Sequence, residues 1–481
     1  MATWLYRSGE LRVLEQQAAA GLPAGSLMQR AGTAAAQWIA RRHPLARRVV
    51  IACGPGNNGG DGYVCAAALQ AAGRQVQCVA LGAPATTDAC DAAARWHAAG
   101  GVTLERLPAA ADCDLAVDAM FGIGLARPLA GPHQDAAHWL NALPGGCVAL
   151  DVPSGLDADT GTWVGGAAGV MARTTLSFLG AKPGLFTADG VDACGSVVVD
   201  ALGVDLPPSV GAVSGPDAFA AVCRPRARNS HKGRNGDVVV TGGAPGMVGA
   251  ALLAGRAALH LGAGRVYVDT LDGRMEVDPV MPELMFRQAA AASAQAVTVI
   301  GCGLGDGDTA RARVAQALRR AGPCVIDADA LNLLAEDESL WTVPDAPSAA
   351  RVLTPHPGEA ARLLGCGAGQ VQSDRVAAAA ALARRHDAII VLKGAGTVVA
   401  AGDRYWINPT GGPALASAGT GDVLAGMIGA LLAQGHAATD AVLAAVWLHG
   451  RVADELAVDV GLPAGGIAVR AAGILARLRS G

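Results

Sequence analysis

The chain has 481 residues, 52% hydrophobic and 16% charged, a balance that excludes a disordered chain and leaves room for two to four domains with cores of their own. A formal net charge of -4 gives no electrostatic basis for binding nucleic acid or an anionic membrane. The apolar run Val423–Ala433 is too short for a bilayer, and residues 1–10 carry Arg7 and Glu10 where a secretory leader would be apolar, so neither a membrane nor a secreted destination is expected.

Residues 11–41 read as one or two amphipathic helices packed outside a sheet. Arg48–Cys53 (RVVIAC) is a buried strand and 61–72 the helix after it. Residues 75–81 and 88–99 repeat that pair, and 115–118 and 147–151 add strands. Short apolar runs alternating with helices predict an α/β fold, a parallel sheet covered on both faces in three αβα layers. Residues 201–230 break the rhythm with Pro207, Pro208, Pro216 and Pro225 and a basic cluster at Arg224, Arg226 and Arg228. This is the expected seam between a domain at 1–210 and another at 225–481. The alternation then restarts: strands at 237–241, 265–270, 296–301, 324–327, 351–354 and 388–392, helices at 249–262, 421–435 and 438–456.

Eleven cysteines without a C-x-x-C pair read as small buried thiols of a reducing, cytoplasmic compartment. Of the 37 basic residues only Lys182, Lys232 and Lys393 are lysines. Where arginine serves nearly everywhere else, the three ammonium groups become candidates for positions needing a compact charge, chance survival on the surface being the alternative.

Gly54-Pro55-Gly56-Asn57-Asn58-Gly59-Gly60-Asp61-Gly62 follows a strand and opens a helix, and it contains G-x-G-x-x-G. The placement suits a phosphate at a helix start. No acidic residue follows at the spacing that holds a ribose in a dehydrogenase, and the two amides and Asp61 exceed what a phosphate cradle needs. Two more polar loops begin at strand ends, Asp118-Ala119-Met120-Phe121-Gly122-Ile123-Gly124-Leu125 and Asp151-Val152-Pro153-Ser154-Gly155-Leu156-Asp157. Three such loops at one rim make a site; taken singly, each is also ordinary turn chemistry. Asn58, Asp118 and Ser154 offer hard oxygens for an alkali or alkaline-earth cation, and Asp151 is a carboxylate able to move a proton.

These three motifs resemble those of the NAD(P)HX epimerase family (the YjeF N-terminal domain) over about residues 1–210, and the segment around Lys182 is similar too. The resemblance implies a Rossmann-like domain in which Asn57, Asn58, Gly59, Gly60 and Asp61, with Gly122, Ile123, Gly124, Leu125, Ala126, Arg127, Pro128 and Asp151, bind the hydrated dinucleotide. It implies potassium held by Asn58, Asp118 and Ser154, and Asp151 as the catalytic residue.

In the second half, Asn408–Pro413 leads to Ala418-Gly419-Thr420-Gly421-Asp422 and then a helix. Glycines ahead of a helix start present N–H donors to an anion. An aspartate there would repel phosphate unless it takes the proton of a hydroxyl being phosphorylated; an N-cap is the alternative. No Walker P-loop is present. His231–Gly236 and Lys393–Thr397 bring two lysines beside glycines. Asp327 and Asp329 end a strand as an indirect magnesium site or as a helix cap, and His356, between two prolines, points to a ligand-facing role.

H-K-G-x-x-G, L-T-P-H-P-G-E-A, L-K-G-A-G-T and L-A-S-A-G-T-G-D-V-L-A-G together resemble the ribokinase-like fold, in its ADP-dependent NAD(P)HX dehydratase branch, over about residues 225–481. The resemblance places Lys393, Gly394, Ala395, Gly396, Thr397 and Gly421 on the adenine nucleotide. It places Ala250, Gly303, His356 and Asp422 on the substrate, with Asp422 catalytic. The implied activity is repair of NADHX and NADPHX, one half interconverting the R and S epimers and the other dehydrating S at the expense of ADP, with K+ and Mg2+ as cofactors. Expected partners are these small molecules and no nucleic acid or membrane, in a homo-oligomer. The rival reading is a ribokinase-class small-molecule kinase carrying a non-catalytic nucleotide-binding N-terminal half.

Overall fold

The computed structural model describes residues 3–341, 349–456 and 460–480. They form two compact units that divide after Gly211.

In the N-terminal unit seven strands, β1 (Arg48–Cys53), β2 (Gln75–Ala80), β3 (Val102–Leu104), β4 (Leu115–Ala119), β5 (Cys147–Leu150), β6 (Ala172–Phe178) and β7 (Ser196–Asp200), lie in the order β3-β2-β1-β4-β5-β6-β7, every pair parallel. The period of two along β1 divides the core. Val49, Ile51 and Cys53 join the cluster on one face with helices Ser26–Arg42 and Asn57–Ala71. Val50 and Ala52 join the other, with Ala136 and Leu140 of helix Pro132–Asn141. Each fully buried Val or Ile contributes about 1.5–3 kcal/mol, so a strand buried on both sides is held without polar alternation. β1 leads to β2 on one side and is flanked by β4 on the other, which makes the β1/β4 edge the switch point where open parallel sheets place ligands. The residue after β1 meets the end of β4 there, Gly54 N donating to Ala119 O at 3.1 Å.

The helix expected at 61–72 begins at Asn57. Gly56 is extended at the N-cap position, so both asparagines sit in the first turn. Gly59 fits because even a Cβ would lie 1.9 Å from Gly54 O. β3, β6 and β7 were not expected: β3 is three residues long, and Ala172–Phe178 is rich in threonine.

In the C-terminal unit, β8 (Asp237–Gly242), β9 (Arg265–Thr270), β10 (Met285–Phe286), β11 (Val297–Ile300), β12 (Cys324–Ile326), β13 (Arg351–Leu353), β14 (Ile389–Leu392), β15 (Val398–Ala401) and β16 (Arg404–Ile407) lie in the order β16-β15-β14-β13-β12-β11-β8-β9-β10. The run from β14 to β10 is parallel, and β15 and β16 extend it as an antiparallel hairpin. A bidentate pair, Arg265 to Asp237 at 2.7 Å for both contacts, ties β8 to β9. Helix Thr420–Ala433 is apolar on nearly all sides and buries Val423–Leu432 among the sheet and helix Val248–His260. Gly426 and Gly429 let it approach, since a Cβ would come 2.1 Å from Ala254 O and 2.6 Å from Val299 respectively. Among the described residues no helix is long and apolar enough to cross a membrane, and all eleven cysteines are free thiols.

Candidate active sites

Each unit carries one cluster of titratable groups at the C-terminal edge of its parallel strands. In the N-terminal unit a cavity of about 780 Å³ opens at the β1/β4 edge, a size ordinary for small-molecule sites. Its lining includes Asn57, Asn58, Asp61, Gly122, Ile123, Gly124, Asp151 and Lys182. Leu125, Ala126, Arg127 and Pro128 are outside the lining, as are Gly59 and Gly60, which serve close packing: a Cβ on Gly60 would lie 2.5 Å from Met28 Cε.

Asp151 follows β5 with φ 65°, a left-handed conformation that Asp tolerates better than most residues. The bend aims its carboxylate into the cavity. Oδ1 accepts a short bond from Lys182 Nζ, and Oδ2 faces the Ile123 amide at 3.4 Å. Gly122 is needed for this approach, because a Cβ there would lie 2.6 Å from Asp151 Oδ2. Lys182 is 1% exposed and also donates to Ser177 Oγ at 2.9 Å and Phe178 O at 3.0 Å. A buried ammonium saturated by three acceptors is a built site. Burial, with Asp151 and Glu15 nearby, pushes the Asp61 carboxyl well above the usual carboxylate range.

Asp118 is 0% exposed, and burial raises it to about 6. It accepts from Ser154 N at 2.8 Å, Ser154 Oγ at 2.7 Å and Met120 N at 3.1 Å. Asn58 is 7% exposed, and neither its Oδ1 nor its Nδ2 has a protein partner. A buried amide left unbonded costs about 1–3 kcal/mol. A buried carboxylate and an amide oxygen without a protein partner are the donor chemistry of a hard-cation site.

In the C-terminal unit the ends of β11, β12, β13 and β14 deliver Cys302, Asp327, Thr354 and Lys393. Lys393 Nζ donates to Asp327 Oδ1 at 2.7 Å and lies 3.9 Å from Glu359; burial works against its charge, but the two carboxylates outweigh it and raise the pKa. Asp327 also accepts from Thr354 Oγ1 at 2.7 Å and makes no side-chain cap of the helix it precedes. Asp329 accepts from the Gly305 amide at 2.8 Å. Gly421 closes on the same group, for a Cβ there would stand 3.3 Å from Lys393 Nζ.

Asp422 does not cap its helix. Gly419 occupies the N-cap position with φ 87°, and Asp422 is the third helical residue. Burial and the neighbouring Asp327 raise its carboxyl to about 6. Its carboxylate, that of Asp327 and the Cys302 thiol have donor atoms within 4.8 Å of one another. His449, held neutral by burial at about 4, lies 3.0 Å from Thr420 O and steadies the first turn. Ala250 and Gly303 are neighbours, 3.1 Å apart from a Cβ built on the glycine. His356 does something the sequence reading overlooked. Its Nδ1 accepts from the Gly358 amide at 2.9 Å while Glu359 Oε2 accepts from His356 N at 2.7 Å, a capping box for helix Pro357–Leu364. The ring's Nε2 lies 3.3 Å from Glu359 Oε1, and half of the side chain remains exposed.

Three contributors were missed. Arg375, 1% exposed, donates to Leu392 O at 3.1 Å and Lys393 O at 3.2 Å and so supports the Lys393–Thr397 loop from beneath. Cys302 joins the Asp422 cluster. Glu15, on helix Ser8–Ala19, lines the N-terminal cavity. Of the three lysines, Lys182 and Lys393 are ion-paired to carboxylates within the two clusters, and Lys232 is exposed.

The model of the NAD(P)H-hydrate dehydratase family matches residues 238–471, and that of the YjeF-related protein N-terminus matches 24–184. The bifunctional NAD(P)H-hydrate repair enzyme Nnr of Escherichia coli (strain K12) is 39% identical over 477 residues, covering 95% of this chain and 90% of that protein. The corresponding protein of Coxiella burnetii is 37% identical over 493 residues, covering 95% and 96%. Among solved structures, a ribokinase-like superfamily protein from Enterococcus faecalis V583 aligns with a TM-score of 0.51 at 25% identity, covering 58% of this chain and all of that one.

Proposed function

This chain belongs to the family of bifunctional NAD(P)H-hydrate repair enzymes, and from that premise we propose how its two sites divide the reaction. The chain is an NAD(P)H-hydrate epimerase and an NAD(P)H-hydrate dehydratase in one polypeptide. The observation that carries our assignment of the dehydratase chemistry is Asp422: a carboxyl raised to about 6, inside the first turn of a glycine-led helix, beside Lys393 and Asp327. A base near neutrality at an anion-binding helix start suits removal of a hydroxyl proton as phosphate is transferred.

In this reading the amides around Gly419–Gly421 receive the transferred phosphoryl group, and the Lys393–Thr397 loop, with Gly421, holds ADP. Ala250, Gly303 and His356 hold the dinucleotide, whose hydroxyl loses its proton to Asp422. The phosphate ester then leaves, and ring electrons restore the double bond; phosphate departs where hydroxide would not. Asp327 and Asp422 offer carboxylates near the phosphoryl position, but Asp327 is already bonded to Lys393 and Thr354 and the third donor is a thiol, which suits Mg2+ held through water rather than chelated directly. Bound there, magnesium would supply charge neutralisation to the transferred group. Product analysis separates this from a ribokinase-class kinase. Recovery of reduced-ring absorbance, with one inorganic phosphate and one AMP per ADP, supports the dehydratase; a stable phosphorylated product without that recovery supports the kinase.

In the N-terminal site Asp151 moves the proton, Lys182 fixes its orientation and charge, and Asn57, Asn58, Asp61 and Gly122–Gly124 hold the hydrate. Asn58, Asp118 and Ser154 would hold K+, supported by the orphaned amide and the buried carboxylate. K+ should therefore raise the melting temperature of the N-terminal transition by a few degrees over tetramethylammonium at equal ionic strength, and Asp118→Asn should lose most of that rise. An equal rise in the variant would exclude this site. Free thiols throughout fit a reducing, cytoplasmic compartment.

A further inference from the structure

Glu15 lies on a helix that the sequence places outside the sheet, yet that helix contributes a wall of the cavity. Leu11, Glu15 and Ala19 recur at a spacing of four, and all three line it. The wall is anchored. Ser8, the first helical residue, donates to Asp159 from both N (2.6 Å) and Oγ (2.9 Å). Arg12 donates to Ile123 O at 3.3 Å, in the loop whose amide faces Asp151. Glu15 is thus fixed in the space that Asp151, Asp61 and Lys182 share. Four carboxyl groups, Glu15, Asp61, Asp88 and Asp151, line the cavity, while the short bond of Lys182 goes to Asp151.

Inverting a carbon that bears a hydroxyl through C–O cleavage needs a proton given and a proton taken, because water leaves from one face and returns on the other. One carboxylate fixed by an ammonium cannot serve both faces. We propose that Glu15 is the second proton-transfer residue of the epimerase, complementing Asp151; the proposal rests on the reading of this cavity as the epimerase site. Protonated Glu15 gives its proton to the hydroxyl, the C–O bond breaks, and water leaves a cation stabilised by the ring nitrogen. Water then adds at the other face and loses a proton to Asp151, so that the ring, one water and one proton balance, and the carboxyl groups re-equilibrate. Burial and the charge of Asp151 raise the Glu15 pKa, which favours the protonated form needed at the start; Lys182 and Arg12 oppose that and Asp88 adds to it.

The test uses the full chain and purified R hydrate in ¹⁸O-labelled water, following formation of the S hydrate and its label. Glu15→Gln should lower kcat for epimerisation by about 100-fold or more, with KM within about three-fold, because a proton is lost and a shape kept. Label should enter the product of the wild-type reaction, and Glu15→Asp should recover part of the rate. Dehydration of the S hydrate and the melting temperature should stay unchanged, which tells a lost proton from a lost fold. Glu15→Gln turning over within about three-fold of the parent, or wild-type epimerisation without label uptake, overturns the proposal. A wild-type chain with no epimerase activity would instead overturn the parent reading of the cavity.

Discussion

Asp422→Asn should lower kcat for dehydration by about 10²–10⁴-fold and leave epimerisation of the same preparation unchanged. Asn keeps the volume and cannot accept the hydroxyl proton. The fold should survive, because Asp422 is not the helix cap and its nearest acid, Asp327, keeps the bonds from Lys393 and Thr354. Removing one of two facing carboxylates even relieves repulsion, so melting should not fall. The sign of the pH dependence follows from the same group. Its pKa is raised to about 6, and the deprotonated form is the base, so kcat/KM for dehydration should be flat above about pH 7 and fall as pH drops through 6. Dehydration by the variant within a few-fold of wild type would remove Asp422 from the chemistry.

Asp151→Asn should abolish epimerisation to a similar extent, about 10²–10⁴-fold, with dehydration of the S hydrate intact. Asn tolerates the left-handed bend at φ 65°, so the backbone is not the cause. The cost to stability has a separate origin. Lys182 would remain an ammonium 1% exposed with only Ser177 and Phe178 as acceptors. Breaking a buried pair from one side costs about 3 kcal/mol at the low end, the end that applies because the cavity admits water. The double variant Asp151→Asn, Lys182→Met removes the stranded charge; it should regain most of the melting temperature and none of the epimerase rate. Chromatographic resolution of the two epimers and calorimetry check both halves of this expectation. A single variant that epimerises at the parent rate would make the pair a structural strut.

The glycine-rich loops and the strands they leave were legible because backbone geometry at a strand-to-helix turn restricts sequence strongly. β1, β2, β4, β5 and β8 to β14 carry enough consecutive apolar residues to be seen, except β10, which has two residues. Lys182 and Lys393 were legible through rarity. What the sequence hid was pairing at long range. Nothing local says that Asp151 and Lys182 meet, since 31 positions separate them. Arg375 resembles any helix arginine until its guanidinium is found under the Lys393 carbonyl. The flanking prolines of His356 pointed to a ligand-facing role, and its second role as a cap went unseen in His-x-x-Glu, a capping pattern with an imidazole in place of a hydroxyl. Glu15 was concealed for a related reason: on an amphipathic helix with exposed polar residues, a carboxyl facing a cavity cannot be told from one facing water.

The most direct test of the two-site account is repair of pure R hydrate by the full chain with ADP and magnesium, followed by recovery of reduced-ring absorbance. Wild-type protein should convert all of it with one phosphate released per ring restored. Asp151→Asn should stall on R while consuming S at the normal rate, and Asp422→Asn should produce S that accumulates. Complete repair of R by Asp151→Asn at the wild-type rate, or ring recovery by Asp422→Asn, would contradict the division of labour between the two sites.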